Sequence, residues 1–326
     1  MPSSTPPSAT TVLVSYRSDP RAWDTLRSRF PQAEFVQVEE DGTVPPAGRC
    51  ARVLYRAAMP MPALSRAVTQ CPDLEWVHTS TAGWEWVLVP EVLERKLRVT
   101  RTATALAKPI AEFVLATTLA LLKRLPELLA AQGEGRWTRP DVGLLAGRTV
   151  GVIGTGGIGR ASAALFRAFG ARTIGTKRTP EPLPEFDEVW GPDRLDDLLQ
   201  RSDVLLLACP LTDETRHLID ADALRRLPRH ALLINIARGD VVVEADLVAA
   251  LREGTIAGAA LDVFATEPLP QDHPFWSLPN AIITPHAAYI APDNLERAAE
   301  EFAANLERFL SGEELANAYG GAERGY

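Results

Sequence analysis

Hydrophobic positions in this chain come in short bursts separated by longer amphipathic stretches. Val12–Tyr16, Phe35–Val38, Ala51–Tyr55 and Leu74–Val77 are apolar runs of four or five residues, the length of buried strands. Helix-like segments lie at Arg21–Phe30 and Pro62–Thr69. Strands alternating with helices predict parallel βα units, and this first block extends to about Arg101. A long helix is predicted from about Lys108 to Gln132, ended by the Gly133-Glu134-Gly135 breaker. Its first half is apolar nearly all round, which predicts burial, in part against another subunit.

The clearest alternation comes next. Strands are predicted at Thr149–Ile153, Arg172–Gly175, Val204–Leu207, Ala231–Ile234, Ala257–Leu261 and Ala281–Thr284. Helical patterns at Gly157–Phe169, Leu195–Gln200, Asp220–Arg225 and Glu244–Arg252 separate them. This is the layout of a doubly wound α/β fold. A final amphipathic stretch, Pro292–Leu310, is expected to pack back on the first block.

The chain has 326 residues, 46% hydrophobic and 23% charged, enough for two globular domains. A formal net charge of −8 argues against a nucleic-acid surface or an anionic membrane partner. Cys50, Cys71 and Cys209 lack metal spacing and read as reduced thiols of a cytoplasmic protein, with no metal site expected. Met1–Thr11 is Ser-, Thr- and Pro-rich and is expected to be a flexible tail rather than a signal peptide. The longest apolar run, Phe113–Leu122, is too short to span a bilayer.

Strand Thr149–Ile153 runs into Gly154-Thr155-Gly156-Gly157-Ile158-Gly159 and then a helix. In a G-x-G-x-x-G the first glycine allows a tight turn, the second admits a pyrophosphate to the backbone, and the third lets helix and strand pack closely. Dinucleotide binding is expected. NAD enzymes place an Asp or Glu after the second strand of this unit, but Lys177-Arg178-Thr179 stands there. Two cations and a hydroxyl suit a ribose 2′-phosphate, so NADP(H) is favoured, with NAD(H) as the alternative.

Three residues just past the carboxyl ends of consecutive predicted strands invite chemistry. They are Arg238 in Asn235-Ile236-Ala237-Arg238-Gly239-Asp240, Glu267 before Pro268, and His286 in Thr284-Pro285-His286-Ala287-Ala288. An open parallel sheet presents its ligands at that edge. Histidine is the usual proton donor near neutral pH, a neighbouring carboxylate favours imidazolium, and a guanidinium polarises a keto oxygen or holds a carboxylate.

Further motifs occur in order over most of the chain. They include Pro109-Ile110-Ala111-Glu112-Phe113, Trp137, Leu145-Ala146-Gly147-Arg148-Thr149-Val150-Gly151, and Pro210-Leu211-Thr212 with Thr215-Arg216-His217-Leu218-Ile219. With the glycine loop and the Arg238, Glu267 and His286 motifs, the sequence resembles the D-isomer-specific 2-hydroxyacid dehydrogenase family, especially its glyoxylate/hydroxypyruvate reductase-like members. The resemblance implies a Rossmann-type dinucleotide-binding domain over residues 104–289. It implies a smaller, flavodoxin-like α/β substrate domain from residues 12–103 and 290–326. It also implies a homodimer through the cofactor domain and the long helix.

On matched positions, the resemblance makes His286 the acid/base, Glu267 its partner, and Arg238 the group that binds the keto oxygen and carboxylate. Asp262 resembles the residue holding the nicotinamide amide, and Cys209, Pro210, Thr215, Ile236, Ala237 and Ala288 fall among the cofactor contacts. The backbone of Ala82 and Gly83 matches the loop that binds the substrate carboxylate. Trp84 and Trp86 depart from the family's usual residues there, and Trp84 with Tyr289 is expected to line the substrate pocket. Packing under the loop or at the dimer contact is the other reading of Trp84 and Trp86. The implied activity is reduction of small 2-keto acids to D-2-hydroxy acids. Its alternatives are an NAD-dependent dehydrogenase of bulkier acids and a non-catalytic, nucleotide-sensing corepressor-like protein. A formate dehydrogenase would carry glutamine in place of Glu267.

Overall fold

The structure, a computed structural model, describes residues 10–15 and 20–320, with the backbone alone for Pro20 and Arg21. The chain divides into two compact units: the chain up to Leu106 together with that from Pro292, and Ala107–Ala291.

The first unit begins with β1 (Thr10–Val14), α1 (Pro20–Arg29), β2 (Ala33–Gln37), β3 (Val53–Arg56), α2 (Met61–Gln70), β4 (Trp76–Thr79), α3 (Pro90–Glu94) and β5 (Arg98–Arg101). Its five strands are all parallel, in the order β2-β1-β3-β4-β5. That is the flavodoxin-like arrangement. Every residue of β1, β3 and β4 is buried, the polar Thr10, Thr11, Arg56, His78 and Thr79 included. Thr10 and Thr11, expected in the tail, belong instead to β1 and are buried, because Thr10 pairs with Ala33 and Thr11 with Glu34; Met1–Ala9 lie outside the described residues. Tyr16 lies outside the described residues. Strand β5 and helix α3 have no counterpart in the sequence reading, because β5 is short and polar (Arg-Val-Thr-Arg) and α3 has five residues.

The second unit opens with α4 (Ala107–Leu122) and α5 (Leu125–Gly133). The single long helix expected here is therefore two. Arg124 takes the left-handed conformation (φ 52°) and Pro126 sits in the first turn of α5, where its missing N–H is harmless; inside a continuous helix it would break the ladder. There follow β6 (Thr149–Ile153), α6 (Gly157–Ala168), β7 (Arg172–Thr176), β8 (Glu188–Trp190), α7 (Leu195–Arg201), β9 (Val204–Leu207), α8 (Ala221–Arg226), β10 (Leu232–Asn235), α9 (Glu244–Glu253), β11 (Gly258–Leu261) and β12 (Ala281–Ile283). The sheet has seven parallel strands, β12-β11-β10-β9-β6-β7-β8, one more than expected. The extra strand is the three-residue edge strand β8. The order reverses at β6, so the loops after β6 and β9 flank the switch point where such sheets bind ligands.

The last helix, α10 (Asn294–Leu310), returns to the first unit. Its face of Ala299, Phe302, Ala303, Leu306 and Phe309 packs with Trp23, Tyr55 and Trp76. Phe302 stacks on Trp76 at 5.3 Å. No helix among the described residues is long and apolar enough to cross a membrane.

Candidate active site

The glycine loop joins β6 to α6. Gly154 has φ 100°, and a side chain there would run into the Ala208–Cys209 backbone at 2.7 Å. A side chain on Gly159 would meet the Gly154 carbonyl at 2.0 Å, whereas Gly156 has nothing within 4 Å of its missing Cβ. Two glycines thus close the turn and the third leaves open space. Helix α6 starts without a side-chain cap, so its first amides are available to a phosphate. These features fit a dinucleotide: the Gly156–Gly159 backbone would hold the pyrophosphate.

Lys177, Arg178 and Thr179 follow β7. The Lys177 ammonium pairs with Glu181, and this pairing holds the Glu181 carboxyl below the usual range. Arg178 faces the loop after β9: the Glu214 carboxyl is lowered by the Thr212 hydroxyl and, less strongly, by Arg178. That loop is fastened by Thr215, whose hydroxyl donates to the Pro210 carbonyl at 2.6 Å and accepts from Thr212 N–H at 2.8 Å. Cys209 is buried beside the glycine turn.

The turns after β10, β11 and β12 bring Arg238, Glu267 and His286 to one edge of the sheet. His286 Nδ1 and Glu267 Oε2 lie 2.8 Å apart, both side chains about one-third exposed (35%). Nδ1 therefore carries the proton toward the carboxylate in the neutral ring, and Nε2 has no partner among the described residues. Tyr289 sits edge-on to this imidazole at 6.4 Å. Glu267 Oε1 accepts from Phe264 N–H at 3.0 Å, which fixes the carboxylate. His286 occupies the left-handed region (φ 53°), a conformation that persists in a non-glycine residue only where its surroundings enforce it.

Asp262 does the enforcing. It is 2% exposed; Oδ1 accepts from Thr284 Oγ1 (2.6 Å) and Ala287 N–H (2.8 Å), and Oδ2 from Ala288 N–H (2.9 Å). The residue matched to the nicotinamide amide is thus already committed to the histidine turn on three sides. Ala288 contributes to that clamp through its N–H.

Arg238 is placed by Asn235, which the sequence reading did not single out. Asn235 Oδ1 accepts from Ala237 N–H and its Nδ2 donates to the Arg238 carbonyl, each at 3.0 Å. Ile236 and Ala237 are buried in this turn. A side chain on Gly239 would fall 1.9 Å from the Phe264 carbonyl carbon, so the Arg238 turn rests directly on the turn that carries Glu267. The only sequence signals are an Asn ending a strand and a Gly after the arginine.

In the first unit, Ala82 and Gly83 have no hydrogen-bond partner for their N–H groups among the described residues. Their carbonyls are held, Ala82 by Arg101 (2.7 Å) and Gly83 by the Thr81 hydroxyl (3.0 Å). Two adjacent amides are left for an anion. Trp84 corrects the expectation of a pocket wall. It is 3% exposed, packs on Tyr319 at 5.2 Å and lies under the Arg101 guanidinium at 4.8 Å, so it anchors the loop from beneath. Trp86 is exposed.

The profile of the family described as "D-isomer specific 2-hydroxyacid dehydrogenase, NAD binding domain" matches residues 115–288. The chain belongs to this family. A glyoxylate reductase of Thermofilum pendens is 37% identical over 255 residues, 74% of each chain. A D-isomer specific 2-hydroxyacid dehydrogenase of Xanthobacter autotrophicus, solved in complex with NADPH, superposes with a TM-score of 0.85 at 34% identity, covering 98% of this chain and 100% of its own. The NADPH-dependent glyoxylate/hydroxypyruvate reductase of Sinorhizobium meliloti solved with NADP and sulfate gives 0.82 at 27% identity, over 97% and 100%. The chain is accordingly an NAD(P)-dependent oxidoreductase with the family's α/β fold.

Proposed function

We propose that this protein is an NADP(H)-preferring reductase of small 2-keto acids, of the glyoxylate or hydroxypyruvate kind, giving D-2-hydroxy acids. The observation that carries the proposal is the His286–Glu267 pair at 2.8 Å with Nε2 left unpartnered. Bound NADPH supplies a hydride to the keto carbon. His286 delivers the proton from Nε2 to the carbonyl oxygen, and Glu267 stabilises the imidazolium from the other side of the ring. Arg238 polarises that oxygen and holds the carboxylate.

NADP(H) is supported by Lys177 and Arg178 at the ribose position and by the NADPH and NADP carried by the two solved relatives. A homodimer is supported by the exposed apolar side chains of Leu129, Trp137, Val142 and Leu144 in the second unit, with Trp137 91% exposed. Free cysteines at 50, 71 and 209 suit a reducing cytoplasm. Residues 12–103 and 290–326 would then carry the substrate loop, and 104–289 the cofactor.

The test is steady-state kinetics with NADH and NADPH over glyoxylate, hydroxypyruvate, pyruvate and phenylpyruvate. NADPH should win, with the smaller acids preferred. Arg178→Ala should raise the KM for NADPH about tenfold, worth about 1.4 kcal/mol, and leave that for NADH nearly unchanged. A tenfold advantage of NADH in kcat/KM for the unmodified enzyme would overturn the cofactor assignment.

A further inference from the structure

The turn that carries Glu267 is gripped by a second glutamate. Phe264 N–H donates to Glu267 Oε1 at 3.0 Å, and the next amide, Ala265 N–H, donates to Glu244 Oε1 at 2.8 Å. Glu244 is the first residue of α9. A carboxylate in that position usually serves its own helix end. Here it reaches out to a turn 21 residues further along the chain.

Glu244 is itself held. Its Oε2 lies 3.6 Å from His273 Nε2, each side chain 20% exposed. His273 Nδ1 accepts from Phe275 N–H at 3.3 Å, so the neutral ring carries its proton on Nε2, toward Glu244. The His273 ring packs on Phe275 at 4.7 Å, and Phe275 packs on Phe264 at 6.1 Å. Gly239 presses on the Phe264–Ala265 peptide from the Arg238 turn. One peptide is thus located by Glu244, by Gly239 and by the aromatic contact behind it. The amide beside it orients Glu267.

We infer that Glu244, steadied by His273, is a positioning residue for the acid–base pair: it sets the Phe264–Ala265 peptide so that Glu267 Oε2 faces His286. The inference rests on the role proposed above for His286 and Glu267. Neither Glu244 nor His273 meets His286; their effect passes through a backbone amide. Catalytic geometry is sensitive to such supports, since a displacement of about 1 Å can cost about 100-fold in rate.

The experiment compares Glu244→Ala, Glu244→Gln, His273→Asn and Glu267→Gln in the full-length protein, reading kcat, KM for glyoxylate and NADPH dissociation by fluorescence. Glu244→Ala should lower kcat about tenfold with NADPH affinity within twofold of the parent. Glu244→Gln keeps an acceptor for Ala265 N–H and should recover most of that loss. His273→Asn keeps the acceptor for Phe275 N–H but loses the Nε2–H, and should lower kcat by a smaller factor with the same split. If Glu244→Ala does not fold, Glu244→Gln and His273→Asn carry the test through that kcat-only split. A kcat unchanged in Glu244→Ala, no recovery in Glu244→Gln, or kcat and NADPH affinity falling together would overturn the positioning role. Full activity of Glu267→Gln would instead overturn the acid–base pair itself.

Discussion

His286 and His78 stand in opposite surroundings. His286, on the turn after β12, is about one-third exposed and shares Nδ1 with the Glu267 carboxylate. His78, inside β4, is fully buried between two threonine hydroxyls, Thr100 at 2.7 Å and Thr102 at 3.3 Å, and stacks on Tyr55. A carboxylate can only accept, so it welcomes a charged ring. A hydroxyl can donate or accept, so it satisfies a neutral one. Burial pushes the His78 pKa down to about 3, and no anion offsets it. One imidazole faces a carboxylate on an exposed turn; the other is built into a core.

The largest effect that tests this contrast is catalytic. His286→Ala should lower kcat by about 100- to 10,000-fold with NADPH binding and thermal midpoint nearly unchanged. Retained activity would remove the contrast altogether.

His78 predicts a large effect on stability. Its folded pKa lies below the unfolded value of 6.5, so the folded state binds fewer protons between pH 6.5 and about 3. Stability from this group is fully present above pH 6.5 and is lost as pH falls through that window, at about 1.4 kcal/mol per pH unit. Urea unfolding at pH 7.5, 6 and 5 measures it. His78→Gln should flatten the slope by about one proton, and an identical slope would sink the prediction.

A smaller effect comes from Thr100, which also accepts from Trp76 Nε1 at 2.8 Å. Thr100→Val strands both rings and should cost about 1–3 kcal/mol of stability, with kcat per folded molecule unchanged. His230 should matter least. Its side chain is 57% exposed, with Nε2 at 2.5 Å from Asp203, and a surface pair of this kind is worth about 0–1 kcal/mol. A thermal melt of His230→Ala should barely move.

Much of the site is legible along the chain because its signals are local. Arg238, Glu267 and His286 each lie in the turn that leaves a strand, and the glycine loop is contiguous. Pro126 likewise marks the break between α4 and α5, although the apolar pattern runs across it. Other features leave no such mark. Trp84 looks like a pocket residue by its place beside Gly83, but the side chain turns into the core. Strands β5 and β8 are too short and polar to announce themselves. Asn235, Glu244 and Gly239 act through partners whose identity depends on which turns the sheet order places side by side, and so does the clamp of Asp262 on the His286 turn.

The sequence by itself determined the alternation of strands and helices, the glycine turn after β6, and which residue types stand at the strand ends. Those follow from spacing and backbone preference within a few residues. The tertiary structure alone decided the pairing: Glu267 with His286, Glu244 with His273, and Asp262 with the turn that holds His286 in its left-handed conformation. A hydrogen bond is made or lost within a few tenths of an ångström, and that distance is set by the packing of β10, β11 and β12 rather than by any one segment.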